Sequence, residues 1–271
     1  MNDPLLTRLP VLRLRGDALE PADDPVAVEE PLDLRVQLES GDESLNVTMR
    51  TPGADRQLAL GWLYAEGLLT PNDLPDMSSL PDAPNVLLIR SSDPQRLLSG
   101  ARRHVTSSAC GVCGSGSVER LLLRVAAPVW TAGPLSPARL LALPDRLRAA
   151  QPAFRASGGL HAAGLFTAQG ELRAAYEDVG RHNAVDKLVG HALQAGWLPL
   201  HDRIVVTSSR AGFEIVQKAA LAGAAVVLTV GAPSSLAVET AAGLGLTLIG
   251  FVREGRMNVY AGAERLQAGV Q

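Results

Sequence analysis

The chain has 271 residues, 46% of them hydrophobic and 20% charged, with a formal net charge of −3. That composition describes a folded protein with a substantial core and excludes a disordered chain, while the slightly acidic balance gives no electrostatic reason to expect nucleic acid or an anionic membrane as partner. Two cysteines, and an opening segment interrupted by Pro4, Arg8 and Pro10, argue against a disulfide framework and a secretion signal and point to a reducing cytoplasm.

Residues 1–26, rich in Asp and Pro, are expected to form a mobile arm with at most one short edge strand, "VLRLR". A smaller β-rich lobe is expected over 27–100. Alternating apolar and polar residues predict two antiparallel strands in "EEPLDLRVQL" and "SLNVTMR", joined by the "ESGDES" turn. Leu58, Trp62 and Ala65 recur at helical spacing, with Pro52 near the start and Gly67 able to end the helix. "PNDLPDMSSLPDAP" reads as loop and "NVLLIR" as strand. The third region, 101–271, begins with a thiol loop and a helix in "SVERLLLRVAA", followed by a Pro-rich connector and a helix near 137–150. "GGLHAAGLFTAQGELRAAYED" reads as a hairpin turning at Gln169 and Gly170, and "HNAVDKLVGHAL" as a helix presenting Val185, Leu188 and Ala192. Beyond it "RIVVTS", "FEIVQKAALAG", "AVVLTV", "SLAVETAAGLG" and "LTLIGFV" alternate strand with helix. Strands this apolar, separated by helices, predict a parallel sheet buried on both faces.

In such a sheet ligands sit at the carboxyl ends of the strands. "SSRAG" and "GAPSS" each join a strand to a helix, so Ser208, Ser209, Arg210 and Ser234, with the helix amides, are candidates to cradle phosphate, or else simple helix caps. Arg253 and Arg256 follow a buried strand and suit a phosphate or carboxylate, or else a solvated hairpin. "EDVGRHNAVDK" packs Glu177, Asp178, Arg181, His182, Asn183, Asp186 and Lys187 into eleven residues, which fits a polar site at a helix start or, as the preferred reading, a helix capped by Asp178 with a solvated charged face. His161 reads as a satisfied core histidine.

Cys110 and Cys113 in "SSACGVCGSG" are placed among glycines rather than in an apolar run, so packing does not account for them. A zinc site would need ligands from a second copy of the chain, because no other CxxC or suitably spaced His pair is present. The deaminase signature is missing: no His is followed two residues later by Glu, and Ala109 precedes Cys110. Dithiol redox chemistry and carriage of sulfur as a persulfide both remain, each favoured by a thiolate that Arg102, Arg103 and His104 would promote.

The segments "EEPLDLRV", "TMRTPG", "SSACGVCG", "SGGLHAAGLF", "EDVGRHNAVDKLVG", "SSRAGFEIVQKAA", "APSSLAVETA" and "GLTLIGFVREGRMNVY", in this order over about 27–262, resemble the formate dehydrogenase accessory sulfurtransferase (FdhD) family. Ser209 and Ser157 stand where that family usually has Gly and Thr. The resemblance implies an α/β fold of the cytidine-deaminase-like kind, a mixed sheet with a parallel C-terminal βαβαβ core and a smaller N-terminal β-rich lobe, and a homodimer. It implies a cytoplasmic sulfurtransferase without a catalytic metal of its own. Such a protein takes sulfur from a cysteine desulfurase and sulfurates molybdenum bis(molybdopterin guanine dinucleotide) before the cofactor enters formate dehydrogenase. Cys110 would carry the persulfide with Cys113 as its partner, and Phe251, Val252, Arg253, Glu254, Gly255 and Arg256 would bind the cofactor, for which GDP is expected to stand in. The alternatives are a cofactor-delivery chaperone without sulfur chemistry and a CxxC dithiol oxidoreductase.

Overall fold

The computed structural model describes residues 4–101 and 125–267. Cys110, Cys113, the basic residues before them and most of the helix expected in "SVERLLLRVAA" lie outside the described residues.

The first element corrects an expectation. Where an arm with one short strand was expected, β1 (Leu6–Arg15) and β2 (Ala18–Ala27) pair along their full length, from Leu6 opposite Ala27 to Arg15 opposite Ala18. Pro10, Pro21 and Pro25 lie within these strands. A two-stranded hairpin consists entirely of edges, where a missing N–H can face outward, so proline does not forbid it.

The second sheet has the order β4-β3-β6-β5, from β3 (Glu30–Leu38), β4 (Gly41–Arg50), β5 (Asp76–Leu80) and β6 (Ala83–Arg90). β3 and β4 form the expected antiparallel pair, and β3 runs parallel to β6. "DMSSL", expected as loop, is β5 and pairs with β6. Leu32, Leu34 and Val36 point from β3 onto α1 (Asp55–Ala65) and α2 (Pro94–Ala101), where Leu58, Leu60, Leu63, Leu97 and Leu98 close the core.

In the C-terminal half, α3 (Pro137–Ala149) and α4 (Pro152–Ser157) precede the hairpin of β7 (His161–Thr167) and β8 (Leu172–Asp178), then α5 (Arg181–Gln194). β9 (Arg203–Thr207), α6 (Phe213–Leu221), β10 (Val226–Thr229), α7 (Ser235–Gly243) and β11 (Thr247–Arg253) form the expected parallel βαβαβ unit, and β12 (Arg256–Ala261) returns antiparallel to β11. The sheet order is β12-β11-β10-β9-β7-β8. Alternate residues serve opposite layers. Val205, Val227 and Leu248 pack with α5, α6 and α7, whereas Ile204, Val206, Val226, Leu228 and Ile249 pack with Leu140, Leu143 and Leu147 of α3. The fold class is therefore the expected mixed α/β, and among the described residues no helix is long and apolar enough to cross a membrane.

The two sheets are joined through α1 and α5, which approach so closely that only glycine fits at the crossing. A Cβ on Gly61 would lie 1.9 Å from the carbonyl oxygen of Asp186, and one on Gly190 would lie 1.9 Å from that of Gln57. A buried polar network lies beside the crossing. Lys187 Nζ is 2.7 Å from Asp178 Oδ2 and donates to the Thr51 carbonyl at 2.9 Å. Asp178 accepts from the amides of Gly180 and Thr51 and from Asn183 Nδ2, which also reaches the Met49 carbonyl. Arg50, fully buried, forks onto Asp55 at 3.0 Å by two nitrogens and also reaches Asn85. The polar density of "EDVGRHNAVDK" is thus largely internal rather than a solvated helix face.

Candidate functional site

Because β7 runs antiparallel to β9, its first residue lies at the carboxyl edge of the parallel strands. His161, Ser208–Arg210 after β9, Val230 and Gly231 after β10, the end of β11 and the start of α5 all meet there. Two cavities open at this edge. The larger, about 730 Å³, is walled by α3 and α4 through Leu141, Leu147, Gln151 and Phe154, and by Val252, Arg253, Glu254 and Gly255. The smaller, about 320 Å³, is walled by Arg181, Ser209, Arg210 and Gly231. His161, Ser208, Val230 and Arg253 line both, so the two adjoin.

The end of β11 takes its shape from an irregular backbone. Phe251 has φ of 52° in the left-handed region, which costs a residue with a Cβ on the order of 1 kcal/mol. The register against β12 shifts between Gly250 and Arg253, and the Phe251 amide bonds instead to the Gly231 carbonyl at 3.1 Å. This turns Val252 and Arg253 toward the cavities, with the Arg253 guanidinium 5.7 Å from the Phe251 ring. Arg256 lies beyond the turn, two-thirds exposed and 3.5 Å from Glu254, and lines neither cavity.

The strand-end loops are built differently from a phosphate cradle of free amides. Ser208, Ala211, Val230, Gly231 and Ser234 all donate their amides to backbone carbonyls, which zips the loop after β9 to its neighbours. Ser234 Oγ caps α7 by accepting from the Ala237 amide, and Ser209 Oγ donates to the Arg210 carbonyl. Ser208 Oγ accepts from the Ala162 amide at 2.9 Å and keeps its own proton for a partner in the cavities. The positive charge at this edge is carried by side chains. Arg181, Arg210 and Arg253 surround the smaller cavity and, among the described residues, none has a carboxylate partner. Burial, reinforced by Arg181 and Arg210, holds the His161 imidazole below its ordinary pKa, which favours the neutral ring, able both to donate and to accept. Behind it His182 is 3.3 Å from Glu214, its pKa also lowered by burial. Deeper still, Asp186 is pushed up to about 6 by burial despite Lys218 at 2.7 Å.

The structure thus brings Ser208, Ser209, Arg210, Val252, Arg253, Glu254 and Gly255 of the sequence candidates to the cavities. Phe251 supports Arg253, Ser234 serves its helix, and Arg256 faces solvent. Sequence reasoning missed Gln151 and Phe154, read His161 as core, and named Arg181 only within a polar cluster for which a solvated helix face was preferred. The position of His161 at the edge of β7, opposite the end of β9, was the available signal for that residue.

Comparison with known proteins identifies the family of the chain. The pattern of the FdhD/NarQ family matches residues 27–267. A protein of Streptomyces coelicolor named sulfur carrier protein FdhD is 45% identical over 271 aligned residues, 96% of this chain and 95% of that one. A protein of the same name from Anaeromyxobacter dehalogenans is 48% identical over 262 residues, 90% of this chain and 88% of its own. The crystal structure of a formate dehydrogenase accessory protein from Desulfotalea psychrophila superposes with a TM-score of 0.77 at 23% identity, over 97% of this chain and 100% of that one. With the family pattern running through both sheets and relatives of this similarity along nearly the whole chain, the protein belongs to the FdhD/NarQ family.

Proposed function

We propose that the chain is a cytoplasmic, homodimeric sulfur carrier that loads the molybdenum cofactor destined for formate dehydrogenase. The relatives' shared name supports sulfur carriage, and the accessory-protein fold supports a role in formate dehydrogenase maturation. The observation that supports this acceptor is the set of guanidinium groups around the smaller cavity that have no carboxylate partner among the described residues, adjoining a larger cavity with an apolar wall. A guanine dinucleotide end of molybdenum bis(molybdopterin guanine dinucleotide) presents a diphosphate to the first and a flat base to the second.

In the proposed reaction the Cys110 thiolate attacks the outer sulfur of a desulfurase persulfide. The bond to the desulfurase cysteine breaks, that cysteine leaves as thiolate, and Cys110 holds the new S–S bond. Release of this sulfur as sulfide needs two electrons. The Cys113 thiolate supplies them by attacking the Cys110 sulfur, which forms a Cys110–Cys113 disulfide and expels sulfide for the cofactor's metal. Two equivalents of a cellular thiol then reduce the disulfide by exchange and leave as their own disulfide. Incubation with a desulfurase and cysteine should add one sulfur, about 32 Da, to the wild-type chain and none at this site in Cys110→Ala. Cys110→Ala should still bind GDP. A Cys110→Ala protein that labels as fast as wild type would move the persulfide to Cys113, whereas a wild-type chain that binds GDP but takes up no sulfur would leave delivery of the cofactor without sulfur chemistry as the better reading.

A further inference from the structure

We infer that Gln151 reads the base of the bound nucleotide by donating to its 6-oxo group, an inference that rests on the nucleotide reading of the two cavities. Gln151 is 2% exposed, lines the larger cavity, and its Nε2 has no hydrogen-bond partner among the described residues. Buried donors are nearly always satisfied, and one left over on a cavity wall marks a place where a ligand completes the bonding.

The local structure shows why this amide is left over. Gln151 is the N-cap residue of α4, where a side chain ordinarily takes the free amides of the first turn. Here the Glu177 carboxylate, from β8, already accepts from the amides of Ala153 at 3.1 Å and Phe154 at 2.7 Å. The Gln151 backbone is held as well, its amide donating to Arg148 and its carbonyl accepting from Arg155. Among the described residues, the carboxamide Nε2 lacks an internal task. Its terminal torsion is broad and easily turned, so it can present Nε2 to an acceptor in the cavity.

The surroundings define that acceptor. Leu141, Leu147, Phe154 and Val252 offer an apolar surface to a flat ring, and Arg253, shared with the smaller cavity, ties the base site to the diphosphate site. A purine whose sixth position is an oxo group accepts from the Gln151 amide. A 6-aminopurine sets donor against donor there, and a site built around one hydrogen bond rejects the analogue that cannot make it.

The test is calorimetric binding of GDP, IDP, ADP and inorganic pyrophosphate to the full chain and to Gln151→Met, which keeps the length of the side chain and removes the amide without adding charge. Wild type should bind GDP and IDP comparably and ADP about tenfold more weakly. In Q151M the GDP and IDP affinities should fall about tenfold to the level of ADP, with pyrophosphate unchanged. Q151M should also melt no lower than wild type, because no internal hydrogen bond is lost. Unchanged GDP affinity in Q151M overturns the role of Gln151, as does parallel loss of GDP and pyrophosphate with a lowered melting temperature, which would mark a structural residue. Failure of GDP to bind wild type at all overturns the nucleotide reading itself.

Discussion

Lys187→Met tests whether the buried network beside the α1–α5 crossing holds the two sheets together. Lys187 is 1% exposed and its partner Asp178 is fully buried, with 2.7 Å between nitrogen and oxygen. Methionine keeps the length of the side chain but removes the charge and the donors to Asp178, Thr51 and Glu177. Breaking a buried pair from one side costs about 3–5 kcal/mol, because the remaining charge stays desolvated. Asp178 would keep Gly180 at 2.7 Å, Asn183 at 3.1 Å and Thr51 at 3.3 Å, which places the expected loss at the lower end, about 3 kcal/mol. Against a total of about 5–15 kcal/mol that is a large fraction. With a urea slope of about 3 kcal/mol per molar, the midpoint should fall by about 1 M at constant slope. Adding Asp178→Asn to the variant should restore part of the loss by removing the unpaired charge. A loss below about 1 kcal/mol, or a double variant no more stable than K187M, would refute the assignment of this network as the tie between the sheets.

Arg253→Ala should weaken binding of GDP or pyrophosphate about tenfold, the value of a charge-assisted bond at a partly enclosed site, whereas Arg256→Ala, at an exposed turn, should change it less than about twofold; equal losses by calorimetry would place both on the ligand. The His161 imidazole, whose pKa is lowered by burial and two arginines, should hold a proton more readily when an anion binds between those arginines. Its pKa, followed by NMR of the ring protons, should therefore rise on saturation with pyrophosphate, and affinity should increase as pH falls through that range. A titration curve unmoved by pyrophosphate would separate His161 from the anion site.

The parallel core was readable because "RIVVTS", "AVVLTV" and "LTLIGFV" are buried on both faces and therefore apolar throughout, with their carboxyl ends marking the site. Elements stabilised by pairing rather than by burial were harder to see. β1 and β2 carry prolines and charges that a core strand could not, and β5 is a short edge strand flanked by Pro75 and Pro81. The same distinction runs through the site. Arg253 could be found from the strand before it, but Gln151 and Phe154 reach the cavity only because α3 and α4 pack across the sheet, a long-range contact with no local periodicity. The loops were read either as phosphate cradles or as helix caps, because strand–serine–helix sequences can offer free amides or cap them. Pairing of Ala211 with Ala232 and of Gly231 with Ser209 uses them instead.

The glycine crossing of α1 and α5 restricts how this protein can drift in sequence. In most cores an enlarged side chain can be offset by trimming its neighbour, and pairs of positions exchange volume over many generations. At Gly61 the three nearest atoms to an added methyl all belong to the main chain of Asp186, and at Gly190 they belong to the main chains of Gln57 and Gly61. Every amino acid carries those atoms, so no substitution opposite can make room. A larger residue at either glycine could be tolerated only by moving a whole helix. Such a move would shift α5 and, with it, Arg181 at the rim of the smaller cavity.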